Sequence, residues 1–258
     1  MQLSNNTVLI TGGTSGIGLA FAQEFVKNGS TVIICGRRQE RLADISQQFQ
    51  GIITRVCDIT KAEDREALAD WAITEYPDLN ILINNAGVQF LSDLRQPIDL
   101  DKVRQETETN FIAPIHLASL FSAHLTTKKE AAIINISSGL AFVPIAFMAV
   151  YCATKAAIHS LTLSLRYQLK ESNVKVFEIA PPAVDTELGH DRREDKTQSH
   201  GGMPVAEFIA AAMEAIENDQ LEAPIGTAKN SHAQREAMLD VMNSRFASPG
   251  SKWTAPTR

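Results

Sequence analysis

Short apolar runs alternate with longer amphipathic segments along most of the chain. Six runs rich in Val and Ile have the length of buried strands, at residues 7–10, 31–35, 52–56, 81–84, 132–136 and 174–179. The segments between them have apolar residues at helical spacing and predict helices over residues 17–27, 39–49, 61–76, 99–125 and 149–170. Pro114 is the expected kink in the longest of these helices. This order predicts right-handed βαβ units and a parallel sheet.

The expected fold class is therefore α/β. We predict a single domain (1–258) built on a Rossmann-type, doubly wound parallel sheet of about seven strands, with helices on both faces. The alternating pattern occupies residues 1–186. Residues 187–220 begin with a dense mix of charges and predict a lid over the substrate, and residues 221–258 hold the expected last strand, a helix and a frayed tail.

Composition narrows the functional class. The 258 residues include 24 basic and 30 acidic side chains, so the formal net charge is −6 and a broad basic surface for nucleic acid is not expected. No apolar stretch reaches the length of about 18 residues that predicts a membrane span. Three cysteines are too few for a disulfide framework and favour a reducing compartment. We therefore expect a cytoplasmic enzyme without nucleic-acid or membrane partners.

A glycine-rich turn, TGGTSGIG at residues 11–18, separates the first strand from the first helix. A backbone that approaches a diphosphate closely needs residues without Cβ, and the start of a helix offers unpaired N–H groups to the anion. A plain turn is the alternative. The position between a strand and a helix favours the phosphate-binding interpretation.

The strongest local signal for catalysis is Tyr151 followed by Lys155 on a predicted helix. Residues at i and i+4 are separated by about 40° around the helix axis, so both side chains face the same site. An isolated tyrosine titrates near pH ~10, and a lysine cation nearby stabilises the phenolate. Taken alone, such a pair is common on protein surfaces.

These motifs resemble the T-G-x-x-x-G-I-G turn and the Tyr-x-x-x-Lys pair of the short-chain dehydrogenase/reductase family, and further motifs match in order over residues 6–186. The resemblance implies an oxidoreductase that interconverts a small-molecule carbonyl (ketone or aldehyde) and an alcohol by hydride transfer with a nicotinamide cofactor. Tyr151 would act as the acid/base, Lys155 would assist it and bind ribose, Ser138 would orient the carbonyl, and Asn110 would complete a proton relay. The implied catalytic set is Asn110, Ser138, Tyr151 and Lys155.

The residues after the second strand bear on the choice of cofactor. A carboxylate at this point would repel a 2′-phosphate, whereas here Gly36 is followed by Arg37 and Arg38. Arginine pairs suit a phosphate dianion, so NADP(H) is favoured over NAD(H); a solvated arginine pair is the alternative. The resemblance extends the cofactor-binding set to Gly12, Thr14, Ser15, Gly16, Ile17, Gly18, Arg37, Arg38, Asp58, Ile59, Asn85, Ala86, Gly87, Tyr151, Lys155, Pro181, Val184 and Thr186.

Some positions carry a second interpretation or depart from the family pattern. Asp58 could contact adenine or cap the following helix. Asn110 lacks the glycine that usually follows it three residues later, since Ala113 stands there. Pro182 replaces a usual glycine, which predicts a stiffer turn. The PPAVDTE run at residues 181–187 is similar to a branch of oxidoreductases named after the teichoic-acid D-alanylation operon.

The remaining expectations concern the substrate, metal and assembly. We predict pocket walls from the segment just before Tyr151 and from the lid, with the candidates Phe142, Pro144, Phe147, Met148, Met203 and Phe208; core packing is the alternative for the first four. The histidines lack metal-ligand spacing, so no metal site is expected. The resemblance implies a homodimer or homotetramer paired through the long helices. The alternatives are a non-catalytic NADP(H)-binding scaffold or sensor, and a related enzyme that acts on an enoyl or sugar-type substrate.

Overall fold

Seven parallel strands form one sheet in the computed structural model, which describes residues 1–188, 199 and 201–234. In chain order they are β1 Thr7–Thr11, β2 Thr31–Gly36, β3 Ile52–Val56, β4 Ile81–Asn84, β5 Ala131–Ile136, β6 Val174–Ala180 and β7 Glu222–Pro224. They lie side by side in the order β3-β2-β1-β4-β5-β6-β7. The six predicted strands are confirmed within one residue at either end, and β7 is the expected last strand.

The strands are linked by helices on both faces of the sheet. They are α1 Gly16–Lys27, α2 Gln39–Gln48, α3 Ala62–Glu75, α4 Leu100–Thr107, α5 Ala113–Leu125, α6 Ala149–Gln168, α7 Val205–Glu217 and α8 Ala228–Ala233. A 3₁₀ turn spans Gly139–Ala141. The doubly wound α/β class is therefore confirmed. None of the helices in the described residues is long and apolar enough to cross a membrane.

The long helix predicted over residues 99–125 is divided, but not at Pro114. The division is a π turn at Glu108–Ile112, which joins α4 to α5 and contains Asn110. Pro114 lies just afterwards, in the first turn of α5. Proline is tolerated at that position because the N–H it lacks would have had no regular helical partner.

The core is divided by the sheet into two layers. Val8 and Ile10 of β1 pack towards Phe25 of α1, whereas Leu9 between them packs on the opposite side with Phe121 of α5. All five side chains are fully buried. Successive residues of a strand point to opposite faces, so a strand covered on both sides needs a continuous apolar run.

The strand order places a crevice beside β1. The chain moves outward from β1 to β3 and then returns to β4 on the other side of β1. In open α/β sheets, ligands bind where the strand order reverses, outside the carboxyl ends of the strands. The turns after β1 and β4 both open onto this point. Residues 189–198 and 200 of the predicted lid, and residues 235–258, lie outside the described part of the chain.

Candidate active site

A cleft of about 940 Å³ opens at the carboxyl ends of the central strands. It brings together all residues that the sequence predicts as cofactor contacts, from Gly12 in the first turn to Thr186 after β6. Ser138, Tyr151 and Lys155 line the same cleft. Asn110 is buried behind it and is not part of its wall. The structure therefore gathers the predicted set in one place, while the role of each residue stays a prediction.

The glycine turn after β1 leaves no space for side chains at two positions. Gly12 has a φ of +66°, and a Cβ there would lie 2.8 Å from the Cα of Ala86. A Cβ on Gly18 would lie 2.5 Å from the carbonyl oxygen of Gly12. These glycines allow the turn to pack directly against the loop after β4, and α1 then begins with its N–H groups towards the cleft.

Two polar side chains fix the glycine turn to the end of β4. The Thr11 hydroxyl oxygen accepts hydrogen bonds from the backbone N–H groups of Asn85 and Ala86, at 3.0 and 3.1 Å. The Asn85 amide donates to the carbonyl oxygen of Thr11 at 2.9 Å. One residue earlier, Asn84 donates to the side chain of Asn135 on β5 at 2.9 Å. The NNAG segment thus ties three strands together at the edge of the cleft.

Arginine side chains surround the mouth of the cleft beyond β2. Arg38 donates to the Thr14 hydroxyl at 3.1 Å, and its guanidinium lies 3.5 Å from a carboxylate oxygen of Glu187. Arg41, in the first turn of α2, binds the same carboxylate at 2.8 Å, a contact that no local pattern in the sequence predicts. Arg37 is exposed, lines the cleft and forms no ion pair with any described residue. This end of the site is positively charged and open to solvent.

The carboxylate of Glu187 is held in its charged form by this arrangement. Burial acts to raise the pKa of Glu187, but the hydrogen bond and charge of Arg41, together with Arg38, outweigh it and lower the pKa. Glu187 follows β6, so its contacts tie the loop after β6 to α2 across the mouth of the cleft. An anion that binds Arg38 has to compete with this carboxylate.

Asp58 has the geometry of a turn residue at the edge of the cleft. Its carboxylate accepts hydrogen bonds from the backbone N–H and the hydroxyl of Thr60, at 3.1 and 2.8 Å. This turn leads into α3, whose N-cap residue is Lys61. Asp58 and Ile59 nevertheless line the cleft. Asp58 therefore stabilises the turn before α3 instead of capping that helix. Its contact with adenine stays a prediction.

The Tyr–Lys pair lies on α6, with both side chains almost fully buried. The Lys155 ammonium donates to the carbonyl oxygen of Ile136 at 2.9 Å and lies 5.7 Å from the centre of the Tyr151 ring. Burial lowers the pKa of Lys155 to about 8, and the charge of Glu106 acts in the opposite direction. The lysine is thus a desolvated cation close to the phenol, and its acidic neighbour Glu106 was not predicted from the sequence.

Asn110 is held inside the π turn by contacts with a separate loop. Its side-chain oxygen accepts from the backbone N–H of Val88, and its amide donates to the Val88 carbonyl, both at 2.9 Å. The amide also lies 3.2 Å from the hydroxyl of Thr154, beside Lys155 on α6. Such π turns are frequent at functional sites because they redirect a side chain without ending the helix. Asn110 therefore links the loop after β4 to the catalytic helix.

Ser138 begins the 3₁₀ turn after β5, where its hydroxyl oxygen accepts from the N–H of Leu140 at 3.1 Å. It is 8% exposed and lines the cleft. After β6, Thr186 lies against the glycine turn, since a Cβ on Gly16 would approach its Cβ to 3.2 Å. Both positions agree with the spacing on which their prediction was based.

The predicted pocket walls are only partly correct. Met148 lines the cleft, but Phe142, Pro144, Phe147 and Met203 do not. Phe208 is fully buried in the core on α7. The apolar wall is formed instead by side chains from three loops and the start of α6, namely Val88, Phe90, Leu140, Ile145, Met148 and Leu188.

The sheet, the glycine turn at its reversal point and the buried Tyr–Lys pair beside it define an α/β oxidoreductase of the Rossmann type. Comparisons with known proteins agree. The family model described as short chain dehydrogenase matches residues 6–197. The chain belongs to the short-chain dehydrogenase family.

Individual relatives place the chain more closely. It is 46% identical over 223 residues to the uncharacterized oxidoreductase DltE of Bacillus subtilis (strain 168), covering 86% of this chain and 88% of that protein. Among solved structures, a short-chain dehydrogenase from Burkholderia cenocepacia J2315 in complex with NADP has a TM-score of 0.81 and 26% identity, covering 96% and 100% of the two chains. The bulky-bulky ketone specific alcohol dehydrogenase from Comamonas testosteroni has a TM-score of 0.75 and 25% identity, covering 96% and 97%. The predicted family and its D-alanylation branch are confirmed.

Proposed function

We propose that this protein is an NADP(H)-dependent oxidoreductase that interconverts a ketone or aldehyde and the corresponding alcohol. The observation that carries the proposal is the buried Lys155 ammonium beside Tyr151 in the wall of the cleft. Burying a lysine next to a tyrosine costs free energy and is hard to explain by packing alone. It is well explained by a need to stabilise a phenolate during proton transfer.

The cleft fits a nicotinamide dinucleotide. The Gly12 and Gly18 positions admit no Cβ, and this is the cradle that a diphosphate needs at the start of a helix. When bound, the dinucleotide supplies the hydride in reduction and accepts it in oxidation. Asp58 and Ile59 would hold the adenine end, and Pro181, Val184 and Thr186 would hold the nicotinamide end.

The side chains around the Tyr–Lys pair then divide the proton chemistry. Tyr151 gives a proton to the carbonyl oxygen in reduction and takes it back in oxidation. Lys155 stabilises the phenolate that this leaves, and Ser138 donates a hydrogen bond to the same oxygen. Asn110 holds the Val88 loop and α6 in fixed relation, and through this it orders the route by which the proton reaches solvent.

The charge at the adenosine end favours NADP(H). Gly36 provides no carboxylate to repel a 2′-phosphate, and Arg37 and Arg38 both line the cleft at that point. Arginine binds phosphate through a planar pair of donors and stays charged at all ordinary pH values. The Burkholderia relative described above has NADP in its crystal structure.

An apolar carbonyl compound is the substrate class that suits the cleft best. The apolar side chains that line it together with Tyr151 include Leu140, Ile145, Met148, Val88 and Phe90. Burial of a hydrocarbon substituent against such a wall contributes about 0.8 kcal/mol of favourable free energy for each methylene group. The Comamonas relative is named for activity on ketones with two bulky substituents.

A homodimer or homotetramer in the cytoplasm completes the proposal. Leu100, at the start of α4, is 56% exposed, and Ile112, at the end of the π turn that joins α4 to α5, is 38% exposed. Exposed large side chains along this divided helix are the type of surface that pairing with a second copy would cover. Light scattering of the purified protein measures the assembly directly, and a monomer at micromolar concentration would contradict it.

The central experiment compares Tyr151→Phe with Tyr167→Phe, a matched change on the exposed part of the same helix. Both variants and the wild type are assayed with aldehydes, ketones and hydroxysteroids, using NADPH and NADH. We expect Tyr151→Phe to lose at least about 100-fold in turnover, the usual contribution of a general acid, and to keep its affinity for NADPH. Tyr167→Phe should retain wild-type turnover. Undiminished turnover in Tyr151→Phe would overturn the mechanism.

A further inference from the structure

Two histidines and two glutamates gather at the edge of the sheet, outside the active-site cleft. His159 lies on α6, Glu178 on β6, Glu222 on β7 and His232 on α8. Glu178 and Glu222 are direct partners in the parallel β6–β7 pairing, so their side chains emerge from the same face. We call these four residues the His–Glu cluster.

Three of the four residues in the His–Glu cluster hold donor atoms close enough to share one ion, and His232 is bonded to one of these three. His159 Nδ1 lies 2.7 Å from a carboxylate oxygen of Glu178, and His232 Nε2 lies 2.5 Å from one of Glu222. One donor atom from each of His159, Glu178 and Glu222 lies within 4.8 Å of the other two. The side chain of Glu178 is fully buried, whereas those of Glu222 and His232 are 27% and 35% exposed. An ion could therefore enter from the solvent side.

One buried oxygen in the cluster lacks a partner. Oε2 of Glu178 is bonded to His159, but Oε1 is inaccessible to solvent and has no hydrogen-bond partner among the residues that the structure describes. A buried carboxylate oxygen without a donor is costly, and native structures rarely leave one in this state without a reason. A cation bound beside it removes this cost.

We propose that the His–Glu cluster is a structural site for a divalent transition metal, with Zn²⁺ as the best match. Zn²⁺ prefers imidazole nitrogen and carboxylate oxygen in a four-coordinate arrangement, whereas Ca²⁺ and Mg²⁺ prefer oxygen alone. The ligands are His159 Nδ1 and the carboxylates of Glu178 and Glu222, and the fourth donor is His232 Nε2, which is bonded to Glu222 and turns from it towards the ion. In a tetrahedral zinc site the donor atoms lie roughly 3.3 Å apart, so the first three donors, now within 4.8 Å of one another, move closer together by side-chain rotation.

The position of the His–Glu cluster gives the ion a structural role. It joins α6 and β6 to β7 and α8, which belong to a later stretch of the chain. His159 is one turn after Lys155 on α6, so a bound ion would fasten the helix that carries the Tyr–Lys pair. Phe142 packs edge-on against both imidazole rings, with ring centres 5.1 and 4.8 Å apart, and keeps them oriented. The expectation of no metal site rested on sequence spacing, which cannot register ligands contributed by four separate elements.

The test is a titration of the tag-free full-length protein with ZnCl₂ after dialysis against a chelator, followed by calorimetry and by thermal unfolding. We expect one ion per chain with an unfolding temperature that rises with free zinc, since a ligand specific for the native state stabilises it by mass action. In a crystal of the zinc-loaded protein, an anomalous peak recorded at the zinc absorption edge and lying next to His159 Nδ1 would locate the ion. These readouts are independent of enzymatic activity.

Variants decide where the ion binds. Mutation of a residue that only hydrogen-bonds to a metal ligand lowers metal affinity by about 10–100-fold. Removal of a ligand itself should cost at least as much, so we expect His159→Gln and Glu222→Gln each to lower zinc affinity by at least about tenfold. Both residues are partly exposed, which makes these variants safer for folding than Glu178→Gln. His116→Gln is the matched control, because His116 forms a similar pair with Glu66 at 3.8 Å and should keep wild-type affinity.

Two results would overturn the proposal. Absence of stoichiometric zinc binding by the wild-type protein would mean that the cluster consists of two hydrogen-bonded His–Glu pairs only. Equal affinity in wild type and His159→Gln would place any bound zinc elsewhere in the chain. A loss confined to His159→Gln and Glu222→Gln supports the site.

Discussion

The two ends of the cleft are built in opposite ways. At the end that holds the proposed catalytic pair, called the catalytic end below, Lys155, Glu106 and Asn110 are almost fully buried and bind backbone groups of β5 and of the loop after β4. At the adenosine end, Arg38 and Glu187 are 49% and 39% exposed and meet through a surface ion pair. Buried polar contacts are costly to break, whereas exposed ion pairs exchange with little change in free energy. The catalytic end is therefore preorganised, and the adenosine end is adjustable.

The largest effect should follow from removing the cation at the catalytic end. Lys155→Met leaves Tyr151 without the charge that stabilises its phenolate, so we expect turnover to fall by about 100-fold or more. Lys170→Met is the matched control, because Lys170 is 62% exposed just beyond the end of α6. Steady-state kinetics on an active substrate measure both. Wild-type turnover in Lys155→Met would show that the buried ammonium is not part of the chemistry.

The next effect concerns the adenosine end. Arg37→Ala and Arg38→Ala remove donors for a 2′-phosphate, and a charge-assisted bidentate contact of this kind is worth roughly tenfold or more in affinity. We expect KM for NADPH to rise by about that factor and KM for NADH to change little. Arg55→Ala is the control, because Arg55 packs over the Trp71 ring outside the cleft. Equal increases for both cofactors would remove the argument for NADP(H).

A third comparison uses pH to measure the cost of the buried cation. The pKa of Lys155 is about 8 in the folded protein and near 10.5 when the lysine is exposed. Between these values the unfolded state binds more protons, so the free energy of unfolding should rise with pH through this window. We expect about 1–3 kcal/mol from Lys155. Urea unfolding of the cofactor-free wild type and of Lys155→Met at pH 7.5 and 9.5 isolates the contribution of Lys155 to the free energy of unfolding. The same pH dependence in both proteins would contradict a lowered pKa of Lys155.

The smallest effect is expected from Glu187→Gln. This change removes the carboxylate that competes for Arg38 and Arg41, but exposed pairs contribute at most about 1 kcal/mol. KM for NADPH should therefore fall by about twofold to fivefold, more clearly at low salt. Glu130→Gln is matched in exposure, because Glu130 is also 39% exposed and pairs with Lys175. An increased KM for NADPH in Glu187→Gln alone would show that the carboxylate helps to form the site.

The sequence predicts the parts of this molecule in which local pattern and structure coincide. The strands are readable because a sheet covered on both faces needs continuous Val and Ile runs, as in β5, where every residue is buried. The glycine turn and the Tyr–Lys pair can be predicted because each is defined by residues close together in the sequence. The confirmed fold class follows from these features.

The rest of the site depends on contacts between distant segments. Phe142 precedes Tyr151 by nine residues but packs on two histidines outside the cleft, while Val88 and Phe90 reach the cleft from the loop after β4. Arg41 and Glu106 are ordinary helix residues until folding brings Glu187 and Lys155 to them. Periodicity assigns a residue to the inside or the outside, but it does not say which neighbour it will meet.

The π turn at Glu108–Ile112 has a consequence for how the chain tolerates changes in length. A π turn holds one more residue than an α turn, so it sets the angular phase of α4 relative to α5. With this phase, Glu106 reaches the loop after β4 while Leu117 remains in the core. Deleting one residue here would straighten the helix and rotate one half by about 100° against the other. The extra residue thus keeps Glu106 directed towards the candidate active site while Leu117 is directed towards the core. After a deletion, only one of these two orientations could be kept.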